Sequence, residues 1–276
     1  MKHGAAIAIA LCLMGMLVPR TAAAADDIDA ASSINHAFAT ELGTGIYDIG
    51  GRSIFIVSWA PAWDVLTPKD RMPGIRLIAP MSVGSFDFMP DDAFEGNLPS
   101  RVDSYSIMPG VEFYLPVRHD WTLTSWVRAG ASFADGVTDG ALYGTGVRLG
   151  RTESRGKTDF TRLHELGLVL VDYHSSQRSD TFLRQRNAVD LRHPTLPLGR
   201  TRHVMTGVYG ILDVVPDPPE APAGVGRPSP VQLEVGLTLN IEPRPQLGPL
   251  RWPRLGFGYR FAGDFSGWRI VVGAPF

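Results

Sequence analysis

The chain has 276 residues, a net charge of −2 and a single cysteine, and it is rich in Gly (30) and Pro (22) without a fixed period. That length suits one large β domain or two small ones, and the near-neutral charge argues against nucleic acid as a partner. No stretch reaches the roughly 18 consecutive apolar residues of a transmembrane helix, so any membrane crossing falls to strands.

Residues 1–25 read as a secretory signal peptide. Lys2 and His3 supply the charged start, Ala5 to Val18 the apolar core, and Ala22 to Ala25 the small-residue cleavage region. Cys12 lies inside that core, preceded by Leu11 where a lipoprotein would carry a small residue. The exported chain is therefore expected to lack cysteine, and with it any disulfide, thiolate nucleophile or Cys-ligated metal. Residues 26–37, polar and small, form an expected periplasmic lead-in, and 38–276 a single β domain.

Phe38 to Ile49 reads as a weak first strand, Gly50-Gly51 as a hairpin turn, and Ser53 to Ala60 as a strand. Pro61 to Pro73 interrupts the pattern. From Ile75 to Val83 apolar residues alternate with Arg76 and small residues, and Phe86 to Arg101 is an acidic loop. Asp103 to Val117 and Trp121 to Phe133 alternate again around the short turn Arg118–Asp120, opposing Glu112 and Arg128 to their apolar faces. Ala141 to Gly150, Phe160 to His174, Thr181 to Arg192 and Arg202 to Val215 follow, and the proline-rich run Pro216 to Pro230 is a loop.

The last three strands are the cleanest. Val231 to Ile241 is apolar at odd positions and places Gln232, Glu234, Thr238 and Asn240 on the other face. Leu255, Phe257, Tyr259 and Phe261 oppose Arg254, Gly256, Gly258 and Arg260. Counting back by twos from Phe276 gives Ala274, Val272, Ile270 and Trp268, opposed to Arg269, which predicts a closing strand that runs to the carboxy-terminus.

Two architectures alternate in this way, a soluble periplasmic β-sandwich and a membrane barrel. Strands of about 9 to 13 residues match a tilted membrane-spanning strand better than the roughly 5 to 6 of soluble sheets. The polar faces are rich in Gly, Ser and Thr with isolated Arg and Glu, and Trp121, Phe133, Phe261, Trp268 and Phe276 fall at strand ends, where interfacial girdles lie. The expected fold is therefore all-β, a transmembrane antiparallel up-and-down barrel of twelve strands. Turning the Leu255–Phe261 strand inside out would set Arg254 and Arg260 against lipid, at about 2–4 kcal/mol each near mid-bilayer. Arg76, Glu112, Arg128, Arg148, Glu234, Arg254, Arg260 and Arg269 are accordingly expected to line the lumen. Even strand number puts both termini in the periplasm and the Phe86–Arg101 and Pro216–Pro230 loops outside; the long Glu242–Pro253 connection fits this register less well.

The run Val102-Asp103-Ser104-Tyr105-Ser106-Ile107-Met108-Pro109-Gly110-Val111-Glu112-Phe113 resembles the solitary autotransporter-like barrels of the Gram-negative outer membrane. So do Tyr143-Gly144-Thr145-Gly146-Val147-Arg148, His164-Glu165-Leu166-Gly167 and Pro253-Arg254-Leu255-Gly256-Phe257-Gly258-Tyr259-Arg260-Phe261. The resemblance implies an outer-membrane barrel without an attached passenger and without an established activity or cofactor. It implies outer-membrane lipid and lipopolysaccharide as surroundings. It also implies Phe276 as part of the signal read by the barrel assembly machinery.

Chemistry has few candidates. His174 and Ser176 have the His-x-Ser spacing that puts a base and a nucleophile on one strand face, as in outer-membrane phospholipases. Here Gln177 follows where that family carries Asn-Gly, so a lipid esterase is the alternative reading. Asp87, Asp91, Asp92 and Glu95 form an acidic loop of the kind that can bind calcium. His164 and Glu165, adjacent on a strand, face opposite ways and are not a metal pair, and no metal site is predicted.

Overall fold

The computed structural model describes residues 42–49, 52–69, 72–86, 104–118, 120–134, 140–173, 179–217, 229–247, 250–251, 253–263 and 265–276. The wall starts with β1 (Gly45–Ile49), β2 (Arg52–Trp59), β3 (Ala62–Leu66), β4 (Gly74–Ile78), β5 (Met81–Phe86), β6 (Ser104–Ile107), β7 (Gly110–Arg118) and β8 (Trp121–Ala134). It continues with β9 (Gly140–Arg155), β10 (Thr158–Tyr173), β11 (Ser179–Leu198), β12 (Arg202–Val214) and β13 (Val231–Glu242). A small hairpin of β14 (Gln246–Leu247) and β15 (Leu250–Arg251) precedes β16 (Leu255–Ala262) and β17 (Phe265–Val272).

Neighbours pair antiparallel in a meander, and β17 pairs with β1, Gly45 standing opposite Arg269. The sheet thus closes on itself, which excludes the two-sheet sandwich. β2 with β3, β4 with β5, and β6 with β7 are single staves, so the closed barrel has twelve.

The three breaks fall at Pro61, Pro80 and Pro109, side by side on neighbouring staves. Proline has no N–H to give the ladder, but its carbonyl still accepts. Ala79 N–H donates to Pro61, Met108 N–H to Pro80 and Ala129 N–H to Pro109, at 2.8 to 3.0 Å. Pro61 therefore does not end a strand, as its sequence pattern suggested: Ala62 to Leu66 carries the stave onward.

The faces separate as period-two alternation requires. On β13, Gln232, Glu234, Thr238 and Asn240 are buried, while Leu233, Val235, Leu237 and Leu239 stand outside, Leu237 at 58% exposure. The inward glycines serve aromatic rings. Tyr209 lies over Gly236 and Gly258 in one cross-strand row, and Trp126 over Gly146 and Gly167; a Cβ on Gly236 would stand 2.5 Å from the Tyr209 ring.

The interior is not polar throughout. Toward the rim where β10, β12 and β16 end, Leu42, Ile54, Met108, Leu142, Val171, Phe182, Val215 and Phe265 form a buried apolar cluster. Leu42 precedes the wall and sits inside it, held where the Tyr47 hydroxyl donates to the Leu42 carbonyl at 2.7 Å. Gly43, with φ of +86°, turns the chain from there into β1. The first strand is accordingly Gly45–Ile49, shorter than the Phe38–Ile49 segment its sequence suggested.

The closing strand also departs from expectation. It ends at Val272, because Gly273 adopts a φ of +102° and Pro275 has no N–H to continue a ladder. Phe276 leaves the apolar outer row of Trp268, Ile270 and Val272 and packs against the interior cluster of Leu163, Ala188, Tyr209, Ile211 and Val271.

Candidate functional site: a charged lumen

The most distinctive chemistry of the molecule is inside the barrel. Glu234 on β13 is 1% exposed and accepts from three neighbours: the Arg260 Nε at 2.9 Å, Arg269 at 2.9 Å and the Tyr209 hydroxyl at 2.8 Å. Asp213 on β12 takes both guanidinium nitrogens of Arg186, at 2.7 and 2.8 Å, and lies 3.5 Å from Arg260. Arg260 thus joins two carboxylates into one network.

A second chain of charges crosses the opposite wall. Glu165 on β10 accepts from Arg148 at 2.6 Å and Arg184 at 2.7 Å. Arg148 also lies 3.6 Å from Glu112, which Arg76 approaches from the other side at the same distance. At the outer end of that chain Arg76 pairs with Asp64 at 2.8 Å, both half exposed. A third group joins Arg254 to Asp190 at 2.5 Å and to Thr238, while Arg192 reaches Asp159 at 2.9 Å and Glu242 at 3.3 Å. Burying charges at this density is tolerable only because each carboxylate has more than one partner.

The eight residues singled out by sequence thus have these places. Glu112, Glu234, Arg254 and Arg260 are buried, Arg148 and Arg269 are partly buried in the networks, Arg76 is at the rim, and the Arg128 guanidinium lies 4.2 Å over the Trp126 ring. Alternation on single strands missed Arg184, Arg186, Asp190 and Asp213. The first three lie on the irregular Thr181–Arg192 stretch, and Asp213 is a lone acid opposite a valine-rich face. Their signal was available: Arg184, Arg186, Ala188 and Asp190 share one parity.

Toward the rim of the chain ends the lumen widens into a cavity of about 580 Å³ lined by Thr124, Arg148, Asp190, Arg254 and Phe276, among others. A void of about 10 Å³ lies beside Leu42, Arg184 and Arg260. Between them stand the ion-pair networks.

His174 and Ser176, and the acidic loop with Asp87, Asp91, Asp92 and Glu95, lie outside the described residues. His164 and Glu165 face opposite ways, Glu165 into the network and His164 outward. Among the described residues, no group of three or more His, Cys, Asp or Glu is placed to hold a metal.

No protein-family model matches the sequence. No curated protein matches it either. Solved structures do share its architecture. The β domain of the Bordetella autotransporter BrkA superposes with a TM-score of 0.52 at 10% identity, over 82% of this chain and 95% of that one. The translocator domain of autotransporter NalP from Neisseria meningitidis aligns at a TM-score of 0.47 and 12% identity, over 84% and 85%. At such identity the likeness to BrkA speaks for the fold alone. The chain has the closed twelve-stranded barrel of an autotransporter β domain.

Proposed function

We propose that this chain is an integral outer-membrane barrel whose lumen is held shut from within, a structural barrel or at most a very narrow pore. The observation that carries this reading is the contrast between its two faces. Outside, Leu, Val, Phe, Tyr and Trp side chains stand exposed on every long strand, from Trp59 to Val272. Inside, buried arginines and carboxylates span the width of the lumen. An apolar exterior around a salt-bridged interior is stable where hydrocarbon, not water, surrounds the wall.

The rim that carries the ends of β5, β8, β10 and β12 would face the cell exterior, among lipopolysaccharide, and the rim of the chain ends the periplasm. Phe276, folded inward once the barrel has closed, would be open to assembly factors only before that closure.

Purified chain in planar bilayers tests the closed state: absence of stable conductance steps agrees with it, and large, long-lived steps overturn it. Fractionation tests the location, since release into the soluble periplasmic fraction without detergent overturns the membrane reading.

A further inference from the structure

Toward the rim of the chain ends, the outer wall of four adjacent staves changes character. On β10 the outward column runs from Leu170, Leu168 and Leu166 through His164 to Arg162. On β9 it runs from Val147 and Leu149 to Arg151, on β8 from Leu123 to Trp121, and on β7 from Leu115 to Arg118. The registers set these ends side by side: Arg118 opposite Trp121, Trp121 opposite Arg151, and Arg151 opposite Arg162. Arginine is costly against hydrocarbon and tryptophan favours the interface, so this line is where the wall passes from the apolar layer into the headgroups.

The cations on this line are held in place. The Arg151 guanidinium lies 5.4 Å over the Trp121 ring, and that of Arg162 4.9 Å over the Phe160 ring, close enough for each ring to brace its cation. Glu153, outward on β9, draws them together. Arg151 Nη1 and Arg162 Nη2 both stand 2.9 Å from its Oε1, and Arg155 Nη2 stands 3.1 Å from its Oε2. Asp120 accepts from the Nε of Arg151. Nη2 of Arg151 and Nη1 of Arg162 have no partner among the described residues. With Lys157 in the β9–β10 turn, Arg151, Arg155, Lys157 and Arg162 outnumber Asp120 and Glu153 by two.

We propose that this face binds the phosphodiester of an anionic phospholipid in the adjoining leaflet, the periplasmic one in the orientation above. The proposal rests on the membrane reading, under which lipid surrounds the wall. Two neighbouring guanidiniums with unspent N–H donors suit the oxygens of one phosphate, and the excess positive charge draws an anionic head. A zwitterionic lipid fits less well. Its ammonium would need a carboxylate, and Asp120 and Glu153 are already taken by arginines. The acyl chains would lie along Leu123, Leu149 and Leu166, next on the apolar side. The opposite wall offers no such place, because the outward residues of β13, β16 and β17 include no cation.

The test is native mass spectrometry of the full chain, folded in detergent micelles doped with equal amounts of phosphatidylglycerol and phosphatidylcholine. Phosphatidylglycerol should stay on the folded barrel about fivefold more often, and Arg151→Gln with Arg162→Gln should abolish that preference. Arg200→Gln with Arg202→Gln, on the β11–β12 hairpin at the same rim, should leave it intact. Should the first pair give no heat-modifiable barrel, Arg155→Gln with Lys157→Gln, both on the exposed β9–β10 hairpin, should lower the preference about twofold. Equal retention of the two lipids, or a preference indifferent to these substitutions, overturns the site and leaves the membrane reading standing. Lipid A retained more strongly than phosphatidylglycerol overturns the choice of a phospholipid. A chain that folds only without detergent overturns the membrane reading and the site with it.

Discussion

Arg254 reaches past two intervening staves to hold Asp190, its Nη1 and Nη2 donating at 2.7 and 2.5 Å to the two carboxylate oxygens. The pair is a chord across the lumen rather than a rung on the wall, and both residues are less than 5% exposed. Removing one partner leaves the other charge buried and unmatched. Asp190→Ala is therefore expected to cost about 3–5 kcal/mol, whereas Asp190→Leu with Arg254→Met costs far less. Urea titration of the folded, heat-modifiable species should show a large drop in midpoint for the single change and recovery for the double.

The pair Arg76–Asp64 makes the contrast. Its separation, 2.8 Å, is as short, but the side chains are 37% and 50% exposed. Water screens such a pair until little of it is left, so Asp64→Ala should scarcely move the same midpoint.

Overfilling the aromatic rows gives a third expectation. A methyl on Gly236 would press against the Tyr209 ring, which must shift and loosen its hydrogen bond to Glu234. Gly236→Ala is expected to destabilise by about 1–3 kcal/mol. Tyr209→Leu made together with it should recover part of that loss, which a double-mutant cycle in urea would measure.

The two faces of β13 offer the cleanest test of surroundings. Leu237 points outward, so Leu237→Arg in a membrane-embedded barrel should cost about 2–4 kcal/mol. In a soluble protein the same exposed position would accept arginine with little change. Refolding yield and urea midpoint in vesicles, against Leu237→Ala, distinguish the two.

How much of this was legible in sequence depends on the strand. Val231–Glu242 and Leu255–Phe261 show strict alternation with charge on one side, and their bounds and facing match β13 and β16 closely. The facing of β10 is not legible in this way, because both parities of Phe160–His174 are partly apolar and the inward positions include Leu163, Val169 and Val171. Alternation separates two faces but cannot identify the lumen where both are apolar. The stave through Pro61 was hidden because proline ends most strands, yet here a carbonyl alone keeps the row together. The ion-pair partners were illegible in principle, since Arg254 and Asp190 are 64 residues apart and meet only because the barrel is round.

The row of Pro61, Pro80 and Pro109 gives that roundness one uneven sector. Each joint there is fastened from one side, carbonyl accepting and no N–H returned. Neighbouring rows hold on both sides. Under thermal agitation each of these three seams between staves should open first at that height, where one bond of the pair is missing. The amides of Ala79, Met108 and Ala129 would be the first in the sheet to trade their protons for solvent deuterium.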